Sequence, residues 1–112
     1  MTLKLEQKLI KKYNKFFNKE FYFECADGWY NLLDKTFKLF TEVESDDLII
    51  FQIKEKFGGL RIYTGPANQD IFRIIDDAED ESFKICEYCG STENVILHGD
   101  HWYKTLCKNC IK

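Results

Sequence analysis

The chain has 112 residues, 45% of them hydrophobic and 16% aromatic, with one proline, six glycines and a formal net charge of −3. That length and apolar load exclude a disordered tract and fit one domain, or one domain with a small metal-stapled appendage. No run approaches the ~18–20 apolar residues of a membrane span, and the net acidity argues against nucleic acid as the obvious partner.

Leu5, Leu9, Ile10, Tyr13, Phe16 and Phe17 recur at three- and four-residue spacing. They predict an amphipathic helix over about residues 3–18. Lys4, Lys8, Lys11, Lys12, Lys15 and Lys19 occupy its other side. The plain reading of that side is a solvated surface, and the sharper one an electrostatic contact with nucleic acid or an acidic partner. An apolar connector over 21–27 carries Cys25, expected to be a buried, inert thiol. Asp27 suits an N-cap, with Gly28-Trp29-Tyr30 opening a second helix whose inner stripe is Trp29, Leu32, Leu33, Thr36, Phe37 and Phe40.

After an acidic loop at Glu42, Glu44, Asp46 and Asp47, two β-prone runs flank Gly58-Gly59 and read as a hairpin with a primed turn. Strict alternation sets Ile49, Phe51, Ile53, Glu55 and Phe57 on one face, and Gln52, Lys54 and Lys56 on the other. Depending on register, Lys54, Lys56, Arg61 and Tyr63 form a basic-aromatic surface. That is either an ordinary solvated sheet face or a platform for single-stranded nucleic acid. Asn68 is placed to cap a third helix with Ile71, Ile74, Ile75, Ala78 and Phe83 facing inward. Its outer side gathers Asp76, Asp77, Glu79, Asp80 and Glu81, serving either solubility or docking to a basic groove.

The C-terminal quarter holds Cys86-Glu87-Tyr88-Cys89 and Cys107-Lys108-Asn109-Cys110, a C-x2-C-x17-C-x2-C pattern that matches a four-thiolate zinc site. Each C-x2-C turn can present two thiolates at about 2.3 Å from one ion, so two turns complete a tetrahedron. Gly90 follows where the chain must bend. Between the pairs, Val95-Ile96-Leu97, a turn at Gly99-Asp100, and Trp102 to Leu106 read as a hairpin. Knuckle, hairpin, knuckle is the plan of a zinc ribbon. His98 and His101 are expected to be turn residues rather than ligands, because four thiolates close the site. A closed site makes the Zn2+ structural, not catalytic. With no signal peptide visible, reduced thiols in a cytoplasmic setting are expected rather than two disulfides.

The expected architecture is therefore α+β: three helices with a β-hairpin over 1–84, followed by a small zinc ribbon over 85–112. The block from Lys54 to Tyr63, KEKFGGLRIY, resembles one in a family of small phage and prophage accessory proteins. In that family a Gly-Trp helix, a KEKFGGLR hairpin, an acidic helix and a terminal C-x-x-C knuckle follow one another. The parts matching here are Gly28-Trp29, residues 54–63, the helix near 70–83, and Cys86 with Cys89; the lysine-rich first helix lies outside the pattern. The resemblance implies a non-enzymatic protein that binds and modulates a host protein, of the kind that inhibits bacterial defence nucleases, anti-CRISPR proteins among them. Asp76, Asp77, Glu79 and Asp80 are then the candidate partner-binding residues, with Lys54, Lys56, Arg61 and Tyr63 as a second set. The alternative is a zinc-ribbon protein binding RNA or single-stranded DNA. No Ser/His/Asp set, phosphate-cradling glycine loop or open metal site suggests an enzyme.

Overall fold

A computed structural model of the chain describes residues 1–18 and 20–111; Lys19, counted above with the lysine face, lies outside them. The fold is α+β, with three helices and two small antiparallel hairpins. Among the described residues no helix is long and apolar enough to cross a membrane.

Helix α1 covers Leu3–Lys12, shorter than its periodicity predicts. Asn14 is a poor helix-interior residue because its side chain competes for backbone groups, and the chain tightens there into a 3-10 turn over Asn14–Phe16. Tyr13 still reaches the core, and its hydroxyl donates to Asp34 Oδ1 at 2.7 Å. Helix α2 covers Tyr30–Thr41, entered through a 3-10 turn over Asp27–Trp29. Asp27 is not its N-cap: the carboxylate instead accepts from the Thr2 backbone N–H at 2.6 Å, tying the start of α1 to the entry of α2. The inner stripe of α2 is buried as expected. Edge-to-face rings of Tyr13, Phe16, Phe17, Phe37 and Phe40 make the centre of the main core, an arrangement that adds to plain area burial.

Strands β1 (Ile50–Lys56) and β2 (Gly59–Thr64) pair antiparallel. The turn residues are Phe57 and Gly58, with φ of 54° and 86°, not Gly58 and Gly59. Two positive φ values are what a two-residue hairpin turn matching strand twist requires, and Gly59 is left to pair with Lys56. The strict alternation also fails. A bulge between Ile50 and Gln52 inserts Phe51, so Ile50 and Ile53 both point into the core while Phe51 is 62% exposed. Glu24 bonds to β1 on its free edge, through Glu24 N–H to Ile53 O and Glu55 N–H to Glu24 O.

Helix α3 covers Gln69–Ser82, and Asn68 caps it by accepting from Ile71 N–H at 3.0 Å. It packs on α2 and β2. Ile71, Ala78 and Ser82 are buried, whereas Ile74, Ile75 and Phe83 are only partly so. Ser82 Oγ accepts from Leu60 N–H, closing the outer edge of β2. Strands β3 (Val95–His98) and β4 (Lys104–Cys107) form the second hairpin, with a smaller cluster of Cys86, Leu106 and Cys107 beneath it. β4 starts at Lys104 rather than Trp102, and the connection between the strands is correspondingly longer.

A candidate metal centre and its seat

The two knuckles are tight backbone turns. Gly90 N–H donates to Cys86 O at 2.9 Å, and Cys110 N–H to Cys107 O at 3.1 Å. The hairpin brings the turns together, so that Sγ atoms of Cys86, Cys89, Cys107 and Cys110 all lie within 4.8 Å of one another. Cys89 and Cys107 sulfurs are 3.6 Å apart. That is far beyond a disulfide bond of about 2.05 Å, and close to the roughly 3.8 Å edge of a tetrahedron with about 2.3 Å metal–sulfur bonds. The cluster can hold a metal ion. Neither histidine belongs to it: His98 Nε2 is 3.2 Å from Leu106 O, and His101 is exposed.

The electrostatics of the donor set point the same way. Burial raises the Cys86 thiol, but backbone N–H groups of Cys107, Cys89 and Tyr88 outweigh it and leave a value of about 6. Cys110, donating its thiol S–H toward the Cys107 sulfur, is held protonated and pushed up to about 12. One thiolate forms readily while Cys89 and Cys110 resist; a cation at the centre would reverse that resistance. Cys25 stands apart as a buried thiol, pushed up to about 12 by burial first and the Glu87 charge second.

The centre sits on a seat made by residues distant in sequence. Gly28 N–H donates to Glu87 O at 2.7 Å, and a Cβ on Gly28 would lie 2.1 Å from Cys86 O. Only glycine lets the knuckle backbone come this close. Next to it, the fully buried Trp29 donates its indole N–H to Ile85 O at 3.0 Å. Glu87 lies inside the first knuckle and is 2% exposed. Its carboxylate accepts from Ala26 N–H and from Lys104 Nζ, each at 3.0 Å. Lys104 Nζ also donates to Glu55 Oε1 at 3.1 Å, and Glu55 Oε2 accepts from Gly58 N–H at 2.7 Å. Thr105 Oγ1 donates to Gly58 O at 2.7 Å. Phe57 meets Tyr103 edge-on, and a Cβ on Gly58 would strike Leu97 Cδ1 at 2.2 Å. The Gly-Trp pair and the Glu55-to-Gly58 stretch are thus the surface that receives the cysteine hairpin. Residue spacing alone does not reveal Glu87, Lys104 or Thr105 as parts of it. The available signal is a carboxylate between two candidate ligand cysteines.

The charged candidates divide differently. Register puts Lys54 opposite Arg61 and Gln52 opposite Tyr63, so Lys54, Lys56, Arg61 and Tyr63 share one sheet face. Arg61, however, turns to Glu79 on α3, 3.5 Å away. Lys56 stacks its ammonium over Phe57. Asp76, Asp77 and Asp80 are exposed and enter none of the ion pairs among the described residues, whereas Glu81 pairs with Lys35 at 2.8 Å. Lys4, Lys8, Lys11, Lys12 and Lys15 are all exposed, and Lys12 pairs with Asp34.

No family model matches this chain, and neither a curated protein nor a solved structure matches it.

Proposed function

We propose that the protein is a non-enzymatic binding protein whose cysteine cluster carries a structural Zn2+ and whose acidic helix docks on a basic surface of another protein. Cys86, Cys89, Cys107 and Cys110 would hold the ion, and a set of four thiolates suits zinc by ligand softness and tetrahedral geometry. The ion would supply cross-linking, with the four cysteine thiolates as its ligands. The observation that carries the partner reading is the run of exposed carboxylates on α3 in a chain of net charge −3, although Lys54 and Lys56 are likewise outside the ion pairs among the described residues. Arg61 of the basic face is drawn to Glu79, while Asp76, Asp77 and Asp80 remain exposed without an ion pair among the described residues. The family resemblance makes the partner a host protein in the bacterial cytoplasm, and the inhibition of a nucleic-acid-binding defence nuclease is the specific form this reading takes.

The test is capture of partners from bacterial lysate by the tagged, zinc-loaded protein, with and without nuclease. A discrete protein that survives nuclease and is lost with Asp76→Lys, Asp77→Lys and Asp80→Lys together supports the reading. Lysate proteins that vanish on nuclease treatment would replace it with nucleic-acid binding through Lys54, Lys56 and Tyr63, the face they share. That binding would fall steeply with salt.

A further inference from the structure

A second candidate site lies on the first hairpin, at the end away from the turn that receives the cysteine module. The bulge that inserts Phe51 into β1 leaves its ring 62% exposed, covering Gly65, where an added Cβ would stand 3.2 Å from the ring edge. Tyr63, directly across from Gln52, is 41% exposed. The segment that pairs with the free edge of β1 carries Tyr22, 70% exposed, alongside them. With Glu20, Glu24 and Gln52, these rings line a cleft of about 360 Å3, within the size range of small-ligand sites. Exposed aromatic side chains gathered at one cleft mark an interaction site rather than scattered surface residues.

The charge of the lining selects the occupant. Its ionisable acids are Glu20 and Glu24, and Gln52 Nε2 holds Glu24 in place by donating to Oε2 at 2.8 Å. Aromatic faces beside carboxylates attract a cation. A guanidinium does this best, because it stacks flat on a ring and is weakly hydrated. A phosphate chain, in contrast, would meet two like charges among the described lining residues, with Lys54, Lys56 and Arg61 of the same sheet face lying outside that lining.

We propose that the cleft between Tyr22, Phe51 and Tyr63 is a docking subsite for an arginine side chain on a basic segment of a partner protein. The subsite is linked to the acidic helix through β2, where Arg61, two residues from Tyr63 on the same strand face, pairs with Glu79 of α3. The inference deepens the binding-protein reading and rests on it for the kind of partner, while the cleft chemistry stands by itself.

The experiment is a nuclear magnetic resonance titration of the isotope-labelled, zinc-loaded full chain. The probe is acetyl-Gly-Arg-Gly-Arg-Gly-amide; its citrulline counterpart and a ten-residue oligothymidine are the comparisons. The arginine peptide is expected to shift the ring signals of Tyr22, Phe51 and Tyr63, and the citrulline peptide to leave them in place. Phe51→Ala and Tyr63→Ala should each weaken binding about three- to tenfold, and Glu24→Gln should weaken it and flatten its salt dependence. Unshifted rings, equal binding of the citrulline peptide, occupation by oligothymidine, or indifference to all three substitutions would each overturn the proposal. The variant carrying Asp76→Lys, Asp77→Lys and Asp80→Lys separates the two readings. If the helix reading fails, that variant keeps its lysate partner and the peptide titration is unchanged. If the cleft proposal fails, the titration is lost while the variant still loses its partner.

Discussion

The Glu87 carboxylate and the Lys104 ammonium lie 3.0 Å apart, with 2% and 14% of their side chains exposed. Glu55 sits on the other side of the same ammonium, 3.1 Å away. One cation therefore joins the first knuckle to the turn of the first hairpin. Removing it strands a buried carboxylate, which is far more costly than never having had the pair. Lys104→Met should destabilise the fold by about 3–5 kcal/mol in denaturant unfolding. Adding Glu87→Gln should restore much of the loss, because the amide oxygen still accepts from Ala26 N–H while the stranded charge is gone. A double variant no more stable than the single one would contradict this account.

The contribution of the same group to stability falls at alkaline pH. Burial lowers the Lys104 value, but Glu87 and Glu55 outweigh it and hold the ammonium above the usual lysine range. A raised folded value means that the folded state binds the proton more tightly than the unfolded chain does. Its contribution is complete below about pH 10.5, the unfolded value. It is lost as pH rises through the higher folded value. Unfolding measured from pH 8 to 12 should show this decline in the parent, and a shallower one in Lys104→Met at matched metal loading.

Metal removal should reach beyond the cysteines. The seat bonds from Ala26 and Gly28 end on Glu87, inside the knuckle that a bound ion would close. In zinc-finger peptides a structural zinc contributes roughly 10–16 kcal/mol at neutral pH, so the chelated knuckle should open. Amide hydrogen exchange after chelation should then rise across 85–111 and also at Ala26 and Gly28. Phe37 and Ile53, deep in the main core, should keep their protection. Unchanged exchange at Ala26 and Gly28 would show that the seat holds without the ion.

Gly28→Ala tests the close approach directly. Its methyl would meet two carbonyl groups of the knuckle backbone, Cys86 O at 2.1 Å and Glu87 O at 2.4 Å. Backbone cannot swing aside as a side-chain tip can, so a cost of about 2–3 kcal/mol is expected in thermal or denaturant unfolding. Gly65→Ala is the comparison: its neighbour is the exposed Phe51 ring, which can rotate away, and the change should be small.

Phe57 offers the opposite sign. It holds a φ of 54°, where a bulky side chain is strained and asparagine is comfortable. Phe57→Asn before Gly58 should stabilise the hairpin by about 0.5–1 kcal/mol, less what is lost from the edge contact with Tyr103. Urea midpoints of the two proteins decide it. A destabilised variant would mean that the Tyr103 contact matters more than the backbone strain.

The helices, both hairpins and the four-cysteine cluster are readable because each rests on local periodicity or fixed spacing. The inner stripe of α2 and the Asn68 cap are of this kind. The failures come where distant chain decides. Asp27 looks like an N-cap by position, but Thr2 N–H reaches it first. Phe51 looks inward-facing because a one-residue bulge leaves no mark in an alternating run. Gly58-Gly59 is readable as a turn, but not which pair of residues carries positive φ. No spacing singles out Glu55, Glu87 and Lys104 as partners, since their meeting is a product of folding. By sequence Arg61 and Glu79 belong to rival surfaces, and their pairing couples the two.

The seat also orders events during synthesis. Ala26 and the Glu87 carboxylate that receives its N–H are 61 residues apart, and at roughly 5–20 residues per second Glu87 is made about 3–12 s later. Throughout that interval the Trp29 indole and the Ala26 and Gly28 amides face water or the ribosome without their partners. The aromatic core of α1 and α2 has every residue it needs from those helices early. The cysteine hairpin is made after the segments it packs on, so the nascent chain passes through a stage in which its most confining glycine has nothing yet to confine.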